Sequence, residues 1–174
     1  MKRPIIFLIA ILLTFSINAQ KTYLHCGKLI DTNTGKINTE MTIVVEGNKI
    51  ITVNKGYASK EKETDTEIDL INKTVMPGLI DMHVHLETVY GPTVYLDEFT
   101  LNEADIAFNS VNYAKATLLA GFTTVRDLGG SGVNVSLRNA INSGKIDGPR
   151  IFTAEKRWVQ LVVTRIQLMD IEKI

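Results

Sequence analysis

"VMPGLIDMHVHL", residues 75–86, decides how the rest of the chain is read. It holds two of the sequence's three histidines, His83 and His85, one residue apart. The run is apolar and contains Pro77-Gly78, a pair that closes one element before the next begins. An extended strand sends alternate side chains to opposite faces. Leu79, Asp81, His83 and His85 therefore share one face, and Ile80, Met82, Val84 and Leu86 the other. The second face is uniformly apolar, as expected where helices pack on a parallel sheet. The first turns from apolar to ionisable along its length. A closed barrel with outer helices predicts that gradient, because its interior is packed and its chemistry gathers at the C-terminal strand ends.

Imidazoles at i and i+2 on one strand face lie about 7 Å apart at Cα, for a rise of about 3.3 Å per residue. Their ring nitrogens can converge on one ion. Neutral imidazole suits Zn, Fe, Ni or Mn. Such an ion would turn a bound water into a nucleophile at neutral pH and polarise a carbonyl. Two ligands are too few, so others must come from elsewhere. By itself His-x-His is a weak motif, and two exposed strand histidines with no ligand are the plainer alternative. The Pro-Gly pair, the polar end of an apolar strand and the pattern that follows favour ligation.

That pattern alternates. "LNEADIAFNSVNYAKATLLAG" is helix-like, with Ala104, Ala107, Phe108, Val111, Ala114 and Leu118 at spacings of three and four. Thr100 and Glu103 match a capping box, and Gly121 suits the position after the helix. "FTTVRDL" is a β-branched strand. "NVSLRNAINSGK" is a short helix with Val133, Leu137, Ala140 and Ile141 on one face, and "PRIFTA" opens a third strand. Strand, helix, strand, helix, strand with short loops predicts a parallel α/β arrangement.

Upstream, residues 22–75 read as short β elements. "TYLHCGKLID" ends in the turn cluster "DTNTG". Met41–Glu46 and Lys49–Val53 form two strands joined by Gly47-Asn48, a two-residue hairpin connection. "IDLINKTVMPG" supplies a further strand with a turn around Asn72. At roughly 55 residues this β unit is marginal alone and is expected to pack on something else.

Residues 1–19 differ again. Lys2 and Arg3 precede an apolar run from Ile5 to Phe15 and then "SINAQ", the three-part pattern of a secretory signal peptide cleaved after Ala19. The run is short for a bilayer span, which needs about 20 residues. Gln20 stands where a lipoprotein would need Cys. Export to the periplasm or the exterior is the expectation, with no membrane association beyond this segment. The formal charge is +0, which gives no basic excess for nucleic acid. Cys26, the only cysteine, allows no internal disulfide and reads as a small packed residue.

"TVMPGLIDMHVHL", with "LLAGFTTVRDLGG" and "GPRIF" downstream, resembles the amidohydrolase superfamily, and within it the imidazolonepropionase-like and prolidase-like branch. The resemblance covers about residues 22–154. It implies an α/β fold: a (β/α)8 TIM barrel plus a β-sandwich built from both chain ends. Residues 20–76 would be the N-terminal share of the sandwich, and 77–154 the first three βα units of the barrel. The family's paired metal-binding histidines fall on His83 and His85. Asp81 matches the acidic residue before them and is expected to orient the strand end. Arg126 and Asp127 match the second strand, and a loop-fixing role is expected for Asp127. Gly129-Gly130 reads as a turn, since no phosphate-binding fingerprint surrounds it. His25 carries no site role.

The resemblance implies a metal-dependent hydrolase of C–N bonds in an amide, dipeptide or cyclic amide, using one or two divalent ions, with Zn as the default. The partner is then a small-molecule amide or peptide, and export favours an Xaa-Pro or other dipeptidase. The family's remaining ligands and its general base, an Asp, come from later strands. His85 is the last histidine here, and from Leu79 onward the chain is too short to close a barrel of 200 residues or more. The expectation is an inactive N-terminal fragment. Residues 155–174, "EKRWVQLVVTRIQLMDIEKI", depart from the family's continuation. With permitted codons and a single G restored before residue 155, the shifted frame spells G-K-A-L-G-T-T-G-G-H-A-D-P-T-N, which looks like that continuation. An out-of-frame tail is therefore expected. The competing reading is a non-enzymatic truncated product or weak metal-binding remnant. A metal-free scaffold relative is a third, against which the intact histidine pair argues.

Overall fold

The computed structural model describes residues 20–155, so residues 1–19, expected to be a signal peptide, and residues 156–174 of the expected out-of-frame tail lie outside the described residues. The chain divides into two compact units between Pro77 and Gly78. The first carries a four-stranded mixed sheet of β1 (Lys21–Ile30), β2 (Ile37–Glu46), β3 (Lys49–Lys55) and β4 (Thr66–Val75), in the order β3-β2-β1-β4. β1 and β2 pair antiparallel, as do β2 and β3, while β4 runs parallel to β1. Tyr23, Cys26, Ile43 and Val44 are its buried apolar residues.

Loop 56–65 is held to this sheet by polar ties. The Thr42 hydroxyl donates to the Gly56 carbonyl at 2.7 Å and accepts from the Ala58 N–H at 3.0 Å. His25 Nε2 lies 2.9 Å from the Ala58 carbonyl, which can only accept, so Nε2 carries the proton. Buried Asp65 accepts from the Lys21 N–H at 3.0 Å and the Lys62 N–H at 3.1 Å.

The turn expected around Asn72 is absent. Asn72 lies inside β4, and the irregularity is a bulge: the register passes from Cys26↔Leu70 to Lys28↔Thr74. Two residues separate the β1 partners and four separate those on β4, so β4 absorbs the extra chain without ending. Gly27 makes this possible, because a Cβ there would overlap the backbone carbonyl of Ile71.

The second unit is a parallel sheet of β5 (Leu79–Val84), β6 (Phe122–Asp127) and β7 (Arg150–Thr153), in that order. Between the strands lie α1 (Val94–Thr100), α2 (Glu103–Leu119) and α3 (Val133–Asn142). Val125 and Ile151 on the strands, Ala114 on α2, Leu137 on α3 and Leu86 after β5 make the core, with Val84, Val111, Phe122, Ile141 and Ile146 packed around it. Because β-branched and small residues recur at sheet and helix spacing respectively, the strands, α2 and α3 each have an apolar side to bury here.

Several details depart from the sequence reading. α2 is capped by Asn102 and Asp105, not by Thr100 and Glu103: the Asn102 side chain accepts from the Ala104 and Asp105 N–H groups, and Asp105 accepts from the Asn102 N–H. Thr100 is unavailable because it ends α1, where its hydroxyl donates to the Leu96 carbonyl at 2.9 Å. α1 itself was not anticipated, since its β-branched and aromatic residues bury no face. Phe108, placed on the apolar stripe of α2, is 74% exposed. On β5, Val84 and Leu86 enter the core, but Ile80 and Met82 are 61% and 54% exposed. β5 is an edge strand among the described residues, and the core gathers under its C-terminal half.

Two predictions follow from the first unit. Gly27→Ala is expected to destabilise it by at least about 3 kcal/mol, read from urea unfolding. Backbone donation from Lys21, then from Lys62, holds the Asp65 carboxyl below its ordinary value of about 3.9. A depressed folded value means stability that is present above about pH 4 and is lost as pH falls through the folded value. Thermal melts from pH 7 to pH 3 should therefore show a steeper acid loss for wild type than for Asp65→Asn; parallel curves would refute this.

Candidate metal-binding site

The parallel register aligns the strand ends: Val84 pairs with Asp127, and Asp127 with Thr153. The Leu128 N–H donates to the Val84 carbonyl and the Ala154 N–H to the Asp127 carbonyl, each at 3.1 Å. His83 lies in β5 and His85 immediately after it. Val84 and Leu86 take the core side, so alternation leaves both histidines on the opposite one. Their ring centroids are 5.4 Å apart in an edge-on arrangement. His83 is exposed and His85 half-buried.

His85 Nδ1 is 2.8 Å from the Gly129 carbonyl. A carbonyl only accepts, so Nδ1 carries the proton and Nε2 keeps its lone pair. That is the state a metal ligand needs, and backbone carbonyls commonly set it. The donor set thus fits half of a divalent-metal site. Among the described residues, no group of three or more His, Cys, Asp or Glu side chains gathers to hold an ion.

Asp81 accepts from the His83 N–H at 2.9 Å, a contact within its own strand. Asp127 is 1% exposed. Its Oδ2 accepts from the Leu86 N–H at 2.9 Å, and its Oδ1 from the Gly129 N–H at 2.9 Å and Asn134 Nδ2 at 3.1 Å. Arg126 Nε donates to the Met82 carbonyl at 2.8 Å.

Two participants were missed by the sequence reading. Glu87 continues the alternation Asp81, His83, His85, and its carboxylate accepts from the Ser131 N–H at 2.6 Å and the Asn134 N–H at 2.7 Å. It thereby caps the N-terminus of α3, where backbone N–H groups lack helical partners. Gly130 leaves room for it, since a Cβ there would collide with the Glu87 carboxylate. Asn134 is fully buried, and its Nδ2 also donates to the Glu155 carbonyl at 3.1 Å. Its signal was an amide beside Val133 on the apolar face of α3. A cleft of about 350 Å³ with mixed polar and apolar walls opens beside Glu87 and Ser131, lined also by Asp97, Asn109, Tyr113, Leu101 and Ile106.

The Amidohydrolase family model matches residues 74–158. The fold is similar to the crystal structure of a Xaa-Pro dipeptidase with methionine bound in its active site: 43% identity, TM-score 0.71, over 79% of this chain and 34% of that one. A prolidase in complex with N-methylphosphonate-L-proline follows at 33% identity and TM-score 0.67, over 79% of this chain and 32% of that one. A 5-methylthioadenosine/S-adenosylhomocysteine deaminase of Bacillus thuringiensis is 46% identical over 44 residues, 25% of this chain and 10% of that protein. A dihydroorotase of Methanosphaera stadtmanae is 43% identical over 49 residues, 28% of this chain and 11% of that protein. Residues 74–158 thus match the amidohydrolase family, and the solved structures similar to this chain include prolidase-like members of it. The chain spans about a third of the length of these solved structures and about a tenth of these curated relatives.

Replacing Glu87 with Ala should cost about 1–2 kcal/mol, as loss of a helix cap does. Hydrogen exchange at the Ser131 and Asn134 amides should accelerate while exchange in β6 changes little.

Proposed function

We propose that this chain carries the first metal-binding strand of an exported, metal-dependent hydrolase of C–N bonds, and that the whole enzyme cleaves Xaa-Pro or related dipeptides. The observation that carries the reading is His85: its Nδ1 is committed to the Gly129 carbonyl, so Nε2 is free beside the ring of His83. Similarity to a Xaa-Pro dipeptidase and a prolidase supports the substrate class. The three parallel strands are the opening of a TIM barrel, and the four-stranded sheet is the N-terminal share of a β-sandwich.

When bound, a divalent ion, Zn by default, would acidify a water and polarise the scissile carbonyl. His83 and His85 supply it with two neutral imidazole nitrogens. Asp81 restrains the backbone at His83, and Asp127 that at Leu86, so both ligands rise from a fixed strand end. The cleft beside Glu87 offers polar contacts to one end of a small peptide. Two imidazoles alone hold a metal weakly, so the 174-residue chain is proposed not to turn over unaided. In this reading residues 1–19 direct export, and residues 155–174 are an out-of-frame tail.

The test is equilibrium dialysis with zinc alongside hydrolysis of Xaa-Pro dipeptides. The chain should bind zinc weakly without turnover, and His83→Ala or His85→Ala should lower affinity at least tenfold. The product of the same coding DNA with one G restored before codon 155 should hydrolyse the dipeptides. Unchanged zinc binding in the double His variant, or turnover by it, would overturn the proposal.

A further inference from the structure

We infer that Asp127 is a positioning residue for His85, acting through the loop Gly129–Ser131 as well as through the backbone. The inference rests on the reading of His85 as a metal ligand but is argued from hydrogen bonds alone. Three consecutive N–H groups of this loop are each tied to a different strand end. Gly129 donates to Asp127 at the end of β6. Gly130 donates to the Glu155 carbonyl after β7 at 3.1 Å. Ser131 donates to Glu87 after β5. The Gly129 carbonyl that accepts from His85 is therefore anchored from all three strands of the sheet. Gly129 has φ +108°, a conformation that side chains resist, so the loop reaches this geometry only with glycine.

Asp127 is the hub, because its two oxygens act on His85 from two directions. Oδ2 holds the N–H of Leu86, the residue next to His85 in the chain. Oδ1 holds the N–H of Gly129, whose carbonyl holds the His85 ring. One buried carboxylate thus sets both the backbone at His85 and the acceptor that selects its tautomer. A carboxylate suits this place better than an amide, because every group facing it is a donor: two N–H groups and the Asn134 side-chain amide. In Asp127→Asn one of the two sides would meet a donor instead of an acceptor, and either His85's backbone or its ring partner would be released. Asn134 helps orient the carboxylate but has no bond to His85 or to Gly129, so its loss should loosen the cluster without freeing the ring.

The decisive experiment reads the His85 tautomer by ¹⁵N NMR in metal-free protein, about two units above the ordinary histidine pKa so that the rings are neutral. Peaks are assigned with single histidine substitutions, and zinc affinity is measured alongside. Wild-type His85 should be the Nδ1–H form. Asp127→Asn should give a mixture and lower zinc affinity 10- to 100-fold. Asn134→Ala, also a buried change in the same cluster, should leave the tautomer as in wild type. A wild-type His85 found in the Nε2–H form overturns the inference even if Asp127→Asn fails to fold. So does a folded Asp127→Asn protein with the wild-type tautomer and unchanged affinity, or a mixture produced equally by Asn134→Ala. Because the tautomer is read without metal or substrate, the inference stands or falls separately from the hydrolase reading: a correct tautomer with no zinc binding supports the positioning and counts against the metal site.

Discussion

The buried carboxylate of Asp127 is the point at which the three strand ends of the second unit are joined. It accepts from the chain leaving β5, from the turn leaving β6 and from the helix that follows, while its own carbonyl accepts from the chain leaving β7. A buried carboxylate needs its lone pairs answered, and the groups bonded to this one are all donors. The parallel register makes this possible by bringing Val84, Asp127 and Thr153 level. A shift of β6 by one residue would turn Asp127 to the opposite face and leave Leu86 and Gly129 N–H groups unpaired.

The histidine pair depends on that junction. Alternation sends His83 and His85 away from the core, but alternation says nothing about which ring nitrogen is protonated. That is decided by the Gly129 carbonyl, 44 residues downstream of His85. The ring is thus oriented by a backbone carbonyl of the turn Gly129–Ser131. The turn in turn relies on Glu87, which also neutralises the exposed N–H groups at the start of α3.

The first unit solves a similar problem with different means. Its sheet is small and its apolar centre contains few residues, so buried polar groups close the loop over it: Thr42, His25 and Asp65 each bind backbone of residues 56–65 or its flanks. The bulge opposite Gly27 lets β4 run parallel to β1 for its full length despite a mismatch in residue number.

Much of the α/β pattern was legible in the sequence because periodicity and stop signals are local: the hairpin at Gly47-Asn48, α2 and α3, and the three strands of the parallel sheet were all read from them. Helix capping went wrong at Thr100 because two overlapping Thr/Asn-x-x-acid spacings compete, and only the presence of α1 decides between them. The bulge at Asn72 was misread as a turn because extra residues in a strand carry the same polar signature as a turn. The His-x-His pair was legible in residues 75–86, since ligand spacing on a strand is a short-range property, and the family likeness came from that stretch together with "LLAGFTTVRDLGG" and "GPRIF". The tautomer of His85, the hub role of Asp127 and the contributions of Glu87 and Asn134 were decided only by tertiary structure. Each depends on hydrogen bonds between strand ends brought level by the sheet, and no local pattern encodes such distances.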